Sequence, residues 1–405
     1  MNDENAYDVC IVGGGMIGAA LGCALGDSGM RVAVLEARLP DELDADAPPE
    51  LRVSAITRAS QNLFAAVGAW SGMVARRVSP YRHMTVWDAR GEGQIDFDAA
   101  DVGEDELGYI IENRVVQLAL LERLRDFDRV ELMAPVSLRH IDWHDAGARV
   151  ELDDGRILNT RLVVAADGAR SRVREMAGIG TQGWNYNQHG LVCAVRPELA
   201  HQNTAWQRFL ATGPLAFLPL SDGRCSIVWS TSPDEAERLQ ALPDADFADE
   251  LSEALAYRLG KIVEVGPRAA FPLRLMNAEE YVAPVLVLVG DAAHNIHPLA
   301  GQGANLGFMD VAALAEVLND AYLRKRNLGG LPTLRRYARW RKGEVLTMMA
   351  AMDGLKRLFG SAAPGVGGLR RWGLSVTNST VLLKRMLTRR AMGLAGDLPA
   401  LTRRN

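Results

Sequence analysis

Two glycine-rich stretches, 13–18 and 290–305, carry the residue types best suited to bind an anionic, sugar-containing ligand. The first reads GGGMIG and the second reads GDAAHNIHPLAGQGAN. Glycines at the start of a helix leave backbone N–H groups and the positive end of the helix dipole open to an anion. Asp291 follows a run of apolar residues directly and supplies a carboxylate that can accept hydrogen bonds from a polyol. The two stretches together predict a cofactor cradle.

The elements around the first stretch predict a βαβ unit. Tyr7–Val12 and Arg31–Leu35 are short apolar runs typical of buried strands, and a helical pattern follows 13–18 between them. Glu36 ends the second strand, 18 residues beyond Gly18. A G-x-G-x-x-G pattern is weak by itself, but in this setting it predicts dinucleotide binding.

Each residue of that unit has a predicted role. Gly13 makes the tight turn, Gly15 lets a pyrophosphate approach the backbone, and Gly18 lets helix and strand pack closely. Glu36 accepts hydrogen bonds from the adenosine ribose. Its charge would repel a 2′-phosphate, which argues against NADP in this site.

Two more strand-to-loop junctions follow along the chain. One apolar run, Leu162–Ala166, ends at Asp167-Gly168. Another, Val285–Val289, ends at Gly290-Asp291. Both runs predict strands that are buried on both faces of a parallel sheet. NAD needs only the first glycine loop, whereas a longer cofactor with a ribityl chain and a large ring needs a second, distant cradle. The combination therefore predicts FAD.

Composition places the chain among soluble globular proteins. It has 405 residues, enough for two domains, with 48% hydrophobic and 23% charged residues. No apolar run is long enough to span a bilayer, and the acidic N-terminus lacks the basic region of a signal peptide. Four scattered cysteines indicate a reduced, cytoplasmic protein. His294 and His297 have no further ligand cluster beside them, so we predict no metal site.

The net charge of −5 is unevenly distributed. Residues 321–405 carry 18 Lys and Arg against three acids, whereas the preceding 320 residues carry 27 against 47. The acidic body argues against nucleic acid as a partner. The basic tail contains a stretch in which apolar and basic residues alternate, namely Leu382, Leu383, Lys384, Arg385, Met386, Leu387, Arg389 and Arg390. Such a helix either lies on an anionic membrane surface or docks onto the acidic body, and both alternatives stay open.

Three motifs occur in order along the chain: GGGMIG with Glu36, ADGARSRVR over 166–174, and GDAAHNIHPLAGQGANLGFMD over 290–310. With these motifs the chain resembles the aromatic-hydroxylase group of flavin monooxygenases, whose type member is p-hydroxybenzoate hydroxylase. The phrases LRVSAI, AFLPLSD, CSIVWS and HPLAGQG make it similar, more narrowly, to the UbiH/UbiF/VisC family of ubiquinone-biosynthesis hydroxylases. The resemblance covers roughly residues 5–395.

The resemblance implies a set of cofactor-binding residues. They are Gly13, Gly15, Gly18, Glu36, Arg52, Arg114, Asp167, Asp291, Gly301, Gln302, Gly303 and Asn305. Within this set, Arg52 and Arg114 would contact the FAD phosphates or the flavin, and Asp291 would hold the ribityl chain. The pyrimidine end of the flavin would be lined by Gly301, Gln302, Gly303 and Asn305. Asp167 would serve both FAD and NAD(P)H, or would only tie a turn.

The resemblance also implies a region for the substrate ring. Its residues are Phe217, Leu218, Pro219 and Pro298, although ordinary sheet core is an equal alternative for the first three. Arg174 would either pair with an acid or accompany the loop at Asp167. No catalytic acid or base is assigned, because a phenol or hydroquinone ring is activated by its own oxygen.

The implied fold is α/β, with a Rossmann-like FAD/NAD(P)-binding domain of the p-hydroxybenzoate hydroxylase type, a mostly antiparallel substrate sheet and C-terminal helices. We expect residues 1–80, 98–180 and 276–335 to form a discontinuous FAD domain. Residues 81–97 and 181–275 would form the substrate domain, and 336–405 a basic helical region.

The implied activity is FAD-dependent hydroxylation of an aromatic ring, with O2 as co-substrate and a flavin C4a-hydroperoxide as the oxygen donor. NAD(P)H or a separate reductase would supply the electrons. A VisC/UbiI-like 2-polyprenylphenol hydroxylase is the first expectation. The alternatives are a UbiF-like 3-demethoxyubiquinol hydroxylase, a UbiH-like 2-polyprenyl-6-methoxyphenol hydroxylase, a soluble aromatic-acid hydroxylase and a non-enzymatic FAD scaffold. The family also suggests a ubiquinone-biosynthesis complex and peripheral contact with the inner membrane.

Overall fold

The computed structural model describes residues 6–44, 47–91, 93–295, 303–360 and 380–404, and for 184–186, 352–353 and 355–360 it describes the backbone alone. The strands are β1 (Ala6–Tyr7), β2 (Val9–Val12), β3 (Val32–Leu35), β4 (Val53–Thr57), β5 (Ser79–Tyr81), β6 (His83–Asp88), β7 (Gln94–Asp98), β8 (Gly108–Glu112), β9 (Val130–Met133), β10 (Leu138–His144), β11 (Gly147–Leu152), β12 (Ile157–Thr160), β13 (Val163–Ala165), β14 (Thr181–Pro197), β15 (Thr204–Phe209), β16 (Pro214–Pro219), β17 (Cys225–Thr231), β18 (Ile262–Ala278), β19 (Val282–Ala283), β20 (Leu286–Leu288) and β21 (His294–Asn295). The helices are α1 (Met16–Ala24), α2 (Arg58–Ala66), α3 (Trp70–Arg76), α4 (Asn113–Leu124), α5 (Arg172–Met176), α6 (Pro233–Ala241), α7 (Asp244–Ala254), α8 (Gly303–Leu323), α9 (Leu331–Gly360) and α10 (Val381–Ala391).

A six-stranded sheet, in the order β19-β20-β13-β2-β3-β9, brings the three predicted loops together. All neighbours are parallel except β19 and β20. Strands β2, β3, β13 and β20 are wholly buried, as expected for apolar runs covered on both faces. Ala165 pairs with Val12 on one side and with Leu288 on the other. The loops that follow these three residues therefore leave the sheet side by side at its carboxyl edge, where α/β proteins bind ligands.

An eight-stranded sheet, in the order β21-β18-β14-β17-β16-β15-β6-β7, forms the second layer. It is antiparallel apart from the β15–β6 pair. One face packs against Phe247 and Leu251 of α7 through side chains such as Leu191 and Ile227. Since alternate residues of a strand point to opposite faces, Val192 and Val228 lie on the other face, toward the glycine loops. Two smaller sheets, β1-β12-β11-β10 and β4-β8-β5, complete the strands.

Helix α8 is the central helix of the cofactor half. It contacts α1, α2 and α9, and Phe308 meets the ring of Phe64 edge-to-face at 4.8 Å between centroids. Tyr337 of α9 is buried and donates a hydrogen bond to the Leu288 carbonyl, 2.9 Å away. Among the helices in the described ranges, none combines the length and the apolar character needed to cross a bilayer.

Candidate cofactor site

The glycine loop between β2 and α1 has room for a ligand at one glycine and no room for a side chain at two others. Gly13 has φ +105°, and a Cβ there would lie 2.5 Å from the Ala166 carbonyl oxygen. A Cβ at Gly18 would lie 1.8 Å from the Gly13 carbonyl oxygen. At Gly15, by contrast, no atom of the described residues lies within 4 Å of a Cβ position. Gly15 opens onto the cleft, and the contact of this loop with a pyrophosphate stays a prediction.

Glu36 holds the glycine loop in place. Its Oε2 accepts a hydrogen bond from the Gly14 N–H at 2.7 Å, and its Oε1 accepts one from the Arg38 N–H at 2.9 Å. On the other side of the loop, Gln117 of α4 donates to the Gly14 carbonyl at 3.0 Å. Contact between Glu36 and a ribose stays a prediction. Gln117 was missed because nothing in the sequence indicates that α4 packs beside this loop.

The loop after β13 offers an unsatisfied acceptor. Asp167 Oδ2 accepts from the Val173 N–H at 3.2 Å, whereas its Oδ1 is buried and has no partner among the described residues. Buried polar atoms are almost always hydrogen-bonded, so this oxygen needs a donor from a ligand or a water molecule. Arg174, which is buried, donates to the carbonyls of Ala169 at 3.0 Å and Ala292 at 2.9 Å. Arg174 therefore connects this loop to the turn that carries Asp291. Of its two alternatives, the one in which it accompanies the loop at Asp167 agrees with these contacts.

Asp291 lies in a short 3-10 turn, Gly290–Ala292, that starts at the end of β20. Gly290 has φ +56°, a conformation that favours glycine. The Asp291 residue is exposed to the open cleft, and the protein atoms packed around its carboxyl raise the pKa of that group by partial desolvation. The charges of His294 and Arg52 oppose that shift without cancelling it. A carboxylate that is open to the cleft and has no hydrogen-bond donor among the described residues is well suited to accept bonds from ligand hydroxyls.

Behind this turn lies a fully buried ionic cluster. Asp310 Oδ2 accepts hydrogen bonds from His294 Nε2 at 2.6 Å and from the Gly290 N–H at 3.0 Å, and its Oδ1 accepts from Arg341 Nε at 2.8 Å. Burial alone would raise the pKa of Asp310, but the charges and hydrogen bonds of His294 and Arg341 outweigh it and hold that pKa below its usual value. Asp310 is therefore ionised at neutral pH. The sequence alone indicates no role for Asp310 or Arg341.

The two predicted arginines occupy different places. Arg52 lines the cleft. Arg114 instead forms an ion pair with Glu50 and donates to the Glu42 carbonyl at 3.3 Å. Its contact with FAD stays a prediction, and the described structure shows it holding the segment before β4.

The start of α8 contributes one open glycine and one buried amide. Gly303 lines the cleft. The Asn305 side chain is buried, accepts from the Thr57 N–H at 3.0 Å and the Ser60 hydroxyl at 2.8 Å, and donates to the Ala55 carbonyl at 2.7 Å. Asn305 therefore joins α8 to β4 and α2 through its side chain. The predicted residues Pro298, Gly301 and Gln302 lie outside the described residues, as does His297.

These loops and the eight-stranded sheet enclose a cleft of about 440 Å³. The sheet contributes small and apolar residues, together with one basic residue, from alternate positions on β14 and β17 and from four consecutive positions on β18, namely Gly190, Val192, Ser226, Val228, Phe271, Pro272, Leu273 and Arg274. The opposite wall carries the backbone at Gly15 and Gly168 and the charged groups of Arg52 and Asp291. A flat ring fits between an apolar wall and a polar wall of this kind.

For the predicted substrate residues on β16, the described structure favours the sheet-core alternative. The Phe217 side chain is buried on the far face of the sheet, against Phe247, so it does not line the described part of the cleft. Leu218 is on the near face but is buried with Ala194 and Ala216, and Pro219 is buried at the end of the strand. Three consecutive strand residues cannot share one face, because side chains alternate. Ser226 and Val228 of the neighbouring β17 take the place predicted for Phe217.

Comparison with known proteins gives a consistent result. Residues 6–342 match the family described as FAD binding domain. The chain is 39% identical to the 3-demethoxyubiquinol 3-hydroxylase of Escherichia coli over 96% of this chain and 98% of that protein. It is also 39% identical to the mitochondrial ubiquinone biosynthesis monooxygenase COQ6 of Xenopus tropicalis, over 94% and 92%. The solved p-nitrophenol 4-monooxygenase PnpA from Pseudomonas putida DLL-E4 has TM-score 0.76 at 19% identity, covering 96% of this chain and 98% of that one. The predicted fold class is confirmed.

Proposed function

The chain belongs to the FAD-dependent hydroxylase family of ubiquinone biosynthesis, and from that premise we propose that it hydroxylates the ring of a polyprenylated 3-demethoxyubiquinol. The observation that carries this proposal is the 39% identity to a 3-demethoxyubiquinol 3-hydroxylase over nearly the whole of both chains. That identity favours the demethoxyubiquinol alternative over the polyprenylphenol hydroxylation expected first from the sequence. The soluble aromatic-acid alternative has no comparable support.

The cleft suits FAD by the chemistry of its residues. The backbone N–H groups at the start of α1 would face the diphosphate, because Gly15 leaves the approach open. Asp291 would accept hydrogen bonds from the ribityl hydroxyls, and the unpaired Oδ1 of Asp167 would accept one more from the cofactor or from a water molecule bound to it. Bound FAD, once reduced, supplies an oxygen atom from O2 to the substrate ring.

The sheet wall supports a hydrophobic, electron-rich substrate. Val192, Val228 and Phe271 would cover a quinol ring and keep water from the reaction, which oxygen transfer requires. A quinol is activated by its own hydroxyl groups, so the chain has to orient the ring and need not deprotonate it strongly. NAD(P)H is the electron donor that we propose, in line with the family.

A product assay tests the substrate choice. The protein loaded with FAD and NADH is given isotopically labelled O2 and either a short-chain demethoxyubiquinol or a short-chain polyprenylphenol. We expect the quinol to gain one labelled oxygen atom, detected by mass spectrometry, and the phenol to remain unchanged. Preferential labelling of the phenol would overturn the choice in favour of the polyprenylphenol reaction. NADH consumed without labelling of either compound would exclude both.

The last described helix supports contact with a membrane, where a polyprenylated substrate resides. Helix α10 rests on the body through Thr388, which is buried, and through an ion pair of Lys384 with Asp101 at 2.8 Å. Its outer face exposes Leu382 at 80% and Met386 at 57%. The same face carries three guanidinium groups that form no ion pair within the described part of the chain, those of Arg385, Arg389 and Arg390. We therefore propose that α10 lies on an anionic lipid surface.

Removing two charges from α10 should weaken that contact measurably. Each basic residue near an anionic surface contributes about 1 kcal/mol, so Arg385→Gln with Arg389→Gln should lower vesicle affinity by about 2 kcal/mol, roughly 30-fold. Co-sedimentation with phosphatidylcholine vesicles containing phosphatidylglycerol measures this affinity. Arg139→Gln with Arg156→Gln removes the same charge from exposed positions on β10 and beside β12, and should leave binding unchanged. An equal loss of vesicle affinity in both double variants would show that only the net charge of the protein matters. It would exclude α10 as the docking surface.

A further inference from the structure

Asp310 of α8 contacts both ends of the turn that carries Asp291. One of its carboxylate oxygens, Oδ2, accepts from the Gly290 N–H at 3.0 Å and from His294 Nε2 at 2.6 Å. Gly290 directly precedes Asp291, and His294 follows it by three residues. A single buried oxygen therefore closes the segment 290–294 into a fixed loop.

The other side of Asp310 is anchored in α9. Arg341 donates from Nε to Asp310 Oδ1 at 2.8 Å, donates to the Leu306 carbonyl at 3.4 Å and pairs with Glu344. The side chains of Asp310 and Arg341 are both 0% exposed. Because His294 and Arg341 keep Asp310 ionised, the carboxylate can accept hydrogen bonds from both ends of the turn at once.

Such an anchor has a clear physical purpose. The Asp291 carboxylate is exposed to the open cleft, where an unrestrained turn would let it move among several positions. Two hydrogen bonds to Asp310, and those from Arg174 to Ala292 and from Ala278 to Ala293, prevent the movement. Among these hydrogen-bonding partners, only Asp310 binds the turn at both of its ends.

We propose that Asp310 is a positioning residue for the cofactor, which holds the 290–294 turn so that the Asp291 carboxylate meets the ribityl chain of FAD. The inference rests on the proposed FAD site. It differs from a purely structural role for the buried ion pair. A buried pair that only stabilises the fold can be replaced by apolar residues of similar volume with no loss of function.

The test replaces the pair and measures FAD affinity, with no reference to turnover. Asp310→Leu with Arg341→Met replaces both side chains by apolar ones of similar branching and length, removes both charges and cuts both ties to the turn. We expect this variant to unfold cooperatively on heating and to bind FAD with a dissociation constant raised about tenfold or more by flavin fluorescence titration. The matched control is Asp320→Asn, which removes an ion-paired acid from the partly exposed end of the same helix and should change FAD affinity by less than about twofold.

A second background shows whether the effect passes through Asp291. In an Asp291→Asn protein, the same double substitution should add less than about twofold to the dissociation constant, because the group being positioned is already altered. FAD affinity equal to that of the unsubstituted protein, or an equal loss in both backgrounds, would overturn the proposal. If the double variant does not fold, His294→Leu removes one of the two hydrogen bonds between the turn and Asp310. Its effect on FAD affinity is then compared in the proteins with and without Asp291→Asn. An unsubstituted protein that binds no FAD would instead overturn the proposed function itself.

Discussion

Gly15→Ala is expected to lower FAD affinity by about 100-fold while leaving the apoprotein folded. No atom in the described part of the chain lies within 4 Å of a Cβ at this position, and Gly15 has φ −64°, which alanine adopts freely. The methyl group therefore meets nothing until a diphosphate approaches the start of α1. Steric overlap in a tight contact costs about 3 kcal/mol at the upper end, equivalent to roughly 100-fold in affinity. Fluorescence titration with FAD and thermal unfolding of the apoprotein measure the two effects separately.

At Gly18, by contrast with Gly15, an alanine is expected to destabilise the apoprotein itself. A Cβ there would lie 1.8 Å from the Gly13 carbonyl oxygen, so Gly18→Ala should lower the melting temperature of the apoprotein itself. Gly178→Ala, whose Cβ has open space among the described residues but whose φ is +67°, controls for backbone strain away from the cleft. If Gly15→Ala binds FAD as tightly as the unsubstituted protein, the diphosphate does not sit on this loop.

Asp291→Asn is expected to weaken FAD binding and to stabilise the apoprotein. A hydrogen bond to a charged group contributes up to about 3 kcal/mol, so loss of the carboxylate should lower FAD affinity by up to roughly 100-fold. Without FAD, the protein around the carboxylate raises its pKa, a cost that asparagine avoids; because Asp291 is exposed, the melting temperature should rise only slightly. Opposite shifts in affinity and stability are the signature of a binding residue held in a strained electrostatic environment.

The pH dependence follows from the raised pKa of Asp291. Between the ordinary pKa of an aspartate and the raised value, the folded apoprotein holds more protons than the unfolded chain. Its free energy of unfolding therefore falls as the pH rises through that window, and stays lower above it. The stability advantage of Asp291→Asn should be present at neutral pH and should vanish below the ordinary aspartate pKa. An advantage that persists unchanged at acid pH would point to packing as its cause.

The parts of the site that the sequence predicts are those encoded by short-range patterns. The runs before Gly13, Asp167 and Asp291 are continuously apolar, which predicts buried parallel strands, and residues beyond the carboxyl ends of such strands meet at one edge. The glycine spacing at 13–18 also predicts where the following helix begins. Fold class and the location of the cofactor loops follow from these features.

The remaining parts depend on contacts between distant segments. Arg174 meets Ala292 across 118 positions, and Arg341 meets Asp310 across 31, so neither pair leaves a local pattern. Only the packing of α8 against α9 places a buried arginine next to a buried aspartate.

The two alternatives for Phe217 stayed open in the sequence for a different reason. Strand β16 is buried on both faces, so its sequence, PLAFLP, does not alternate between apolar and polar residues. Without that alternation, the sequence cannot indicate which side chains face the cleft. The neighbouring β17 has a small polar residue at Ser226 between apolar ones, which is a local hint of the cleft face in this pair of strands.

A crystal structure of the protein with FAD bound is the measurement that tests the cofactor site most directly. We predict a single FAD molecule whose diphosphate accepts hydrogen bonds from the backbone beside Gly15 and whose ribityl hydroxyls donate to Asp291. A flavin bound elsewhere, or one that touches the 13–18 loop while the 290–303 segment lies beyond hydrogen-bonding reach, would contradict this assignment.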